Sequence, residues 1–386
     1  MKKALLAAAL MSAGVVAHAQ SSVTLYGRLD AGLEYMSGVP TGANANGAAT
    51  GKSNRFRAES GDWGTSLWGL KGVEDIGGGN KVLFQLEGSF NTMTGAGPGG
   101  GGLFNRWATV GMSNAQYGTF TLGRMLFISN GVWDFDPFGQ SNWSSASLVR
   151  GRNWPQSSNN FAYQSPKFAG FDFYGQYALS NATTWNANPA PGGQGREAGA
   201  QVTYTNSLFQ IRGMYDEIRN PATGGLWGGP VANAGINTAN TGNGVFAASR
   251  EYSAMFNVFL GQFKIQGAYQ AVRSAGATGV LPGQPTTLDH EWGGVTWQAT
   301  PAAALIAAVY HVNANNGGGN ATIYTVGGSY NLSKRTLLDL QAATVRNSRA
   351  ANFGLNANNA GYAAATDNPL QGRQQSGVYA GIQHSF

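Results

Sequence analysis

The chain has 386 residues, no cysteine and a formal net charge of +6, and only 11% of its residues are charged while 58 are glycine. A soluble domain typically has about 25% charged residues and about 7% glycine, so the composition argues against an ordinary soluble protein. Neutral polar residues replace the charged ones, which is typical of a wall with one apolar and one polar face. The charge forms no basic run, which argues against a nucleic-acid partner.

The N-terminus has the features of an export signal. Two lysines follow Met1, residues 4–17 are apolar, and Ala17-His18-Ala19 is an A-x-A cleavage site. We therefore predict a signal peptide at residues 1–19 and a single mature domain at residues 20–386. The apolar run is too short to span a bilayer as a helix. Removing Lys2 and Lys3 lowers the formal charge from +6 to +4, and without cysteine the exported chain must be stabilised by backbone pairing rather than disulfides.

Residues 23–35, VTLYGRLDAGLEY, alternate between apolar and polar side chains with a period of two. On its own this pattern fits a strand of a soluble sandwich or of a membrane barrel. Similar segments recur in pairs along the chain, and we count sixteen of them. This number predicts an all-β fold, a 16-stranded antiparallel transmembrane β-barrel with both termini on the periplasmic side and an aqueous channel inside.

The connections between these strands alternate in length, which favours a membrane barrel over a sandwich. Short turns such as Asn206-Ser207 alternate with long segments rich in glycine, asparagine and alanine, which we place at residues 37–54, 91–102, 220–248 and 348–375. Outer-membrane barrels have short periplasmic turns and long external loops. A closed barrel also leaves no unpaired strand edge in the lipid.

One connection, residues 124–152, is too long for an ordinary loop and is here called the third loop. Loops longer than about 12–15 residues in a compact fold are usually functional or disordered, and this one carries aromatic residues that disordered segments lack. Its centre, Asp134-Phe135-Asp136-Pro137-Phe138-Gly139, alternates acidic and aromatic residues, and arginines stand at both ends. We predict that the third loop folds into the barrel lumen. The alternative is a surface loop with a few buried aromatic residues.

Several motifs together resemble the general porins of β-proteobacteria, which are trimeric diffusion channels of the outer membrane. The resemblance covers residues 22–386. The matching segments are SVTLYG at 22–27, GLKGVEDIGGG at 69–79, FQLE at 84–87, LFNR at 103–106, GTFTLGR at 118–124, DPFG at 136–139, SPKFAGF at 165–171 and GIQHSF at 381–386.

The resemblance implies a homotrimer of sixteen-stranded barrels in the cell outer membrane, with the third loop folded inward. It also implies that the outer-membrane insertion machinery reads the C-terminal aromatic residue, Phe386. The chain departs from the family pattern at two positions, because Leu67 stands where an arginine usually precedes Trp68, and Ala162 where a basic residue usually precedes Tyr163. Residues 55–63 also resemble an insertion relative to that pattern.

A pore selects solutes by its width and by rings of fixed charge. Strand parity places Arg28, and also Lys71, on the lumen side, whereas the parity of Arg106 leaves its position open. The predicted pore constriction consists of Arg28, Lys71, Arg124, Asp134, Asp136, Arg150 and Arg152. The simpler interpretation of each is that a charge points to water because lipid forbids it.

Nothing in the sequence indicates catalysis, a metal site or a cofactor. The glycine run 77–79 lies in a hairpin and lacks the Gly-Lys-Ser/Thr of a phosphate loop, and the histidines show no metal-ligand spacing. We therefore expect a non-enzymatic channel for passive diffusion of ions and small hydrophilic solutes, with membrane lipid around it and a mild preference for anions. The alternatives are a substrate-selective channel for small anions and, less favoured, a barrel adhesin or a barrel enzyme such as a lipase or protease.

Overall fold

A computed structural model describes residues 22–42, 50–97, 102–139, 141–149, 156–179, 196–219, 248–275, 285–356 and 367–386. The predicted signal peptide and its cleavage site lie outside these residues. The described residues form seventeen strands: β1 Ser22–Thr41, β2 Gly51–Ser60, β3 Leu67–Gly77, β4 Asn80–Ser89, β5 Trp107–Asn114, β6 Gly118–Leu126, β7 Gln156–Gln164, β8 Phe171–Ala178, β9 Glu197–Thr205, β10 Phe209–Arg219, β11 Ala248–Leu260, β12 Phe263–Ala275, β13 Thr287–Gln298, β14 Ala303–Ala314, β15 Gly319–Asn331, β16 Thr336–Asn347 and β17 Gln375–Ser385.

The strands close into an antiparallel barrel with sixteen strand positions. Apart from β2 and β3, which do not pair with each other, each strand pairs with its neighbours in sequence, and β1 pairs with β17 from Arg28 opposite Ser385 to Ser37 opposite Ser376. Two strands share one position, because β3 pairs with the first half of β1 and β2 pairs with the second half. The predicted sixteen-stranded barrel is therefore confirmed, with its second strand divided in two. The first long loop is shorter than predicted, because β1 and β2 extend into it.

The two faces of the wall differ in the way that the alternating sequence predicts. Large apolar side chains are exposed on one face, as for Leu33, Phe256 and Val326, whereas their sequence neighbours on the other face, such as Glu34, Asn257 and Thr325, are buried. In a closed barrel the exposed apolar face is the outward one, so the polar side chains point into the barrel. A buried apolar cluster forms where the third loop packs on this inward face.

The third loop leaves β6 after Leu126 and contains two short helices. The first is a 3₁₀ helix at Ile128–Phe135 and the second, α1, is Ala146–Val149. Neither of these helices, in the described ranges, is long and apolar enough to cross a membrane.

Candidate functional site

Glycines on the inward face of the wall make room for the third loop. A methyl group added to Gly199 on β9 would lie 2.3 Å from Ile128 Cγ2, and one added to Gly377 on β17 would lie 2.8 Å from the indole ring of Trp143. Pro137 rests in the same way on Gly294 of β13, at 2.6 Å. Because a real Cβ does not approach this closely, the loop fits only where these wall positions lack side chains.

Hydrogen bonds hold the third loop along the same wall. The indole Nε1 of Trp292 donates to the carbonyl of Phe135 at 3.0 Å. The hydroxyl of Thr325 donates to the carbonyl of Trp143 at 2.9 Å. The loop beyond its root thus contacts the inward face from β9 to β17, and the expectation that it folds inward agrees with these contacts.

Asp136, which the sequence places at the constriction, is enclosed in the structure rather than exposed to the lumen. It is 3% exposed, and its carboxylate accepts bonds from the Tyr310 hydroxyl at 2.6 Å, the Phe138 amide at 2.9 Å and the Ser145 amide at 3.0 Å. Burial raises the pKa of this carboxyl, while the bonds from Ser145 and Tyr310 oppose the rise. Asp136 therefore joins the third loop to Tyr310 on β14, and within the loop it joins the segment at Phe138 to the segment at Ser145. Strand parity cannot predict this orientation, because a loop has no fixed alternation.

Asp134, two residues earlier, has the opposite environment. Its side chain is 60% exposed, although one carboxylate oxygen lies 2.9 Å from Nη1 of Arg212 on β10. Arg212 also donates to the carbonyl of Gly131 at 2.8 Å, and it lies over the ring of Phe135, 4.8 Å from the centroid. The arginine therefore fixes this part of the loop while leaving the Asp134 carboxylate open to the lumen.

The predicted cations Arg28, Lys71 and Arg124 lie at different places along the wall. Arg28 Nε donates to the carbonyl of Thr65 at 2.9 Å. Arg28 pairs with Leu67 across the sheet, so Lys71 lies four residues further towards the short turn, about 13 Å along the strand at roughly 3.3 Å per residue. The Lys71 ammonium stands 5.2 Å from the centre of the Tyr26 ring.

Arg124 is held at the root of the third loop. Its Nε donates to the carbonyl of Asn105 and its Nη1 to the hydroxyl of Ser158, both at 2.7 Å. Nearby, Arg106, whose position the sequence left open, is buried and bonds Glu87 through Nε at 2.6 Å. Arg150 and Arg152 lie outside the described residues.

A pair of hydrogen bonds to a buried aspartate, which the sequence did not predict, joins the third loop to the link between β2 and β3. Asn142 donates from Nδ2 to Asp62 Oδ1 at 2.6 Å and from its amide to the Asp62 carbonyl at 2.8 Å. Asp62 is 1% exposed, and its other carboxylate oxygen has no hydrogen-bond partner in the described part of the chain. Burial raises the pKa of Asp62 well above its usual value, and the charges of Glu34 and Glu59 raise it further.

A set of ion pairs joins β2 to the last long connection. Arg55 bonds Glu34 at 3.0 Å and also contacts Asp367. Burial alone would raise the pKa of Asp367, but the bond and charge of Arg55 outweigh it, so the pKa is lowered. Arg55 and Arg57 alternate with Phe56 and Ala58, and this alternation is the sequence signal that could have predicted β2. Among the described residues, no group of three histidine or acidic side chains is arranged to hold a metal.

The sequence profile of the Gram-negative porin family matches residues 4–350 of this chain. The chain belongs to this family. It is 30% identical to outer membrane porin protein 32 of Delftia acidovorans over 403 aligned positions that cover 100% of both chains. An outer membrane porin protein of Bordetella pertussis is 38% identical over 189 residues, about half of each chain, at 47% and 49%.

Solved porin structures share the fold. The anion-selective porin from Comamonas acidovorans superposes with a TM-score of 0.73 at 23% identity, covering 95% of this chain and 100% of that one. OmpT of Vibrio cholerae superposes with a TM-score of 0.62 at 13% identity, covering 95% and 99%. The protein is thus an outer-membrane porin, and the predictions of family, fold and location are confirmed.

Proposed function

We propose that this porin passes ions and small hydrophilic solutes by passive diffusion through the part of the lumen that the third loop leaves open. The observation that carries the proposal is the one-sided attachment of the loop. Beyond its root the loop contacts the wall from β9 to β17 and, through Asn142, the link between β2 and β3. The cations Lys71 on β3, Arg106 just before β5 and Arg124 on β6 stand on the remaining part of the wall. A gradient drives transport in such a channel, and no residue performs covalent chemistry.

The constriction in this proposal has Asp134 on the loop side and Arg28 and Arg124 on the wall, with Lys71 nearer the short turns. We also propose a mild preference for anions. The acids of the inward face are largely enclosed, as Asp30, Asp136 and Asp339 are all buried, whereas the three wall cations are half-buried or exposed. Solutes therefore meet more positive than negative charge.

The proposal includes a homotrimer, delivered by a cleaved signal at residues 1–19 and inserted with the help of the terminal Phe386. The OmpT structure from Vibrio cholerae, which shares this fold, is of a trimer form and supports the proposed homotrimer.

Single-channel recording in a planar bilayer tests the channel directly. Stepwise increases in current, with a conductance proportional to salt concentration, are expected for a water-filled pore, and three equal closing steps per inserted unit are expected for a trimer. A folded protein that inserts without current steps would contradict the channel. Single closing steps would contradict the trimer alone.

A further inference from the structure

On the outward face, strands β10, β11 and β12 change from apolar to charged residues at a tyrosine. The boundary residues are Tyr215, Tyr252 and Tyr269. Below them, that is, towards the short-turn end of the strands, lie exposed apolar side chains such as Ile211 and Phe256. Aromatic residues mark the membrane–water interface of such barrels, and charges on the lipid side are tolerated only near that interface. The charged residues above the tyrosines therefore lie at the level of the lipid head groups, beside the long connections.

Above this boundary, Glu217 holds two arginines. It lies opposite Arg250 in the register of β10 and β11. Nε of Arg219 bonds one of its oxygens at 2.7 Å, and Nε of Arg250 bonds the other at 2.6 Å. The glutamate side chain is only 11% exposed, whereas the two arginine side chains are 61% and 42% exposed. We call these three residues the arginine clamp.

The arginine clamp carries one positive charge in excess, because two guanidinium groups share one carboxylate. Each guanidinium has several N–H donors and uses one of them on Glu217, so further donors remain for an incoming acceptor. Guanidinium groups bind phosphate through paired, charge-assisted hydrogen bonds. The rings of Tyr215 and Tyr252, 5.1 Å apart, lie directly below the clamp in the register of the two strands.

We propose that the arginine clamp binds the phosphate of an anionic lipid head group in the leaflet on the long-loop side of the membrane. The site faces away from the lumen, so a solute in the pore does not reach it. A lipid, unlike a free phosphate ion, would also place its acyl chains on the apolar band below the tyrosines. Charge and position thus both select a phosphorylated lipid.

Native mass spectrometry of the folded, full-length protein in detergent tests this site. The protein is titrated with a lipid A that carries two phosphates, with phosphatidylcholine as the zwitterionic comparison. The variant Arg219→Gln/Arg250→Gln is expected to retain lipid A about tenfold less well, the effect of losing roughly 1.4 kcal/mol of binding free energy. The variant Arg219→Lys/Arg250→Lys keeps the charge but not the planar donors, and should bind almost as weakly.

The matched control removes two cations from the opposite rim. Lys334 and Arg335 are exposed in the turn between β15 and β16, and Lys334→Gln/Arg335→Gln should bind lipid A like the unchanged protein. Equal loss in this control, or full retention in the clamp variants, would overturn the site. Displacement of lipid A by excess inorganic phosphate would reduce the clamp to an anion site without lipid selectivity. Dissociation of the assembled subunits in the clamp variants would assign the surface to a subunit contact instead.

Discussion

The hydroxyl of Tyr310 donates to Asp136 Oδ1 over 2.6 Å, and both side chains are buried. This bond joins the middle of the third loop to β14, on the far side of the lumen from the root of the loop. The position of the loop, and therefore the width of the opening, depends on contacts of this kind rather than on the barrel itself.

Replacing Tyr310 by phenylalanine should loosen the third loop without unfolding the barrel. The change removes one donor from a buried carboxylate, which costs about 1–3 kcal/mol, while the backbone amides of Phe138 and Ser145 remain bonded to it. We expect more open-channel current noise and closure at lower voltage in a planar bilayer. Tyr330→Phe, at an exposed position on the outward face, is the control. Noise unchanged from the control would show that the bond does not hold the loop.

Gly377→Ala should displace the third loop by steric contact. The added methyl group would lie 2.8 Å from the buried ring of Trp143, which cannot move without carrying the loop with it. We expect a changed single-channel conductance in a protein that still folds. Gly213→Ala is the matched control, since a methyl group there meets nothing within 4 Å. Identical conductance in the two variants would argue against close packing of Trp143 on β17.

The contact between Asp62 and Asn142 should respond to pH. Because burial raises the pKa of Asp62, its stabilising contribution is fully present below the unfolded value of about 3.9 and declines as the pH rises through the folded value. We expect the voltage needed for closure to fall as the pH rises above the ordinary range of a carboxyl group, and Asp62→Asn to remove this pH dependence.

Asp75→Asn, at an exposed position near the end of β3, provides the control for that experiment and should keep the full pH dependence. A pH dependence that survives in Asp62→Asn would assign the effect to another group. Asp367 contributes the opposite pH dependence, because its pKa is lowered. Its ion pair with Arg55 stabilises the fold at neutral pH and is lost only as the pH falls through the lowered pKa of Asp367.

Deleting Phe386 should impair assembly of the barrel. The terminal residue pairs with Gly27 through two backbone bonds, at 3.0 and 3.1 Å, so its loss removes the last bonds that close β17 on β1. We expect less folded protein in the outer membrane, measured as the heat-modifiable fraction on a gel. Phe168→Ala, which removes an 81% exposed aromatic ring from a turn, is the control. Normal accumulation of the deletion variant would contradict the predicted role.

The barrel was predictable from the sequence because alternation with a period of two fixes which side chains face lipid. The same alternation predicted that Arg28 and Lys71 lie on the lumen side of the wall. The same rule would have placed Arg212 inward, since Ile211 and Gly213 flank it on the apolar face. Strand β2 was missed because residues 55–63 resemble an insertion relative to the family pattern.

The period-two alternation does not predict the environment of side chains in the third loop. Asp134 and Asp136 stand two residues apart, yet one is exposed and the other enclosed, and that difference arises from contacts with Arg212 and Tyr310 on distant strands. The enclosed state of Asp62 likewise depends on Asn142, eighty residues further along the chain. Sequence periodicity carries no information about such pairings.

The reversal potential in a salt gradient tests most directly the claim that exposed charges at the loop set the selectivity of this porin. The unchanged protein should prefer anions mildly. Asp134→Asn should strengthen that preference at low salt and lose the effect near 1 M, where the Debye length falls to about 3 Å, whereas Asp136→Asn should leave the ion ratio unchanged. A clear preference for cations, or an Asp134→Asn reversal potential identical to that of the unchanged protein at low salt, would contradict the account.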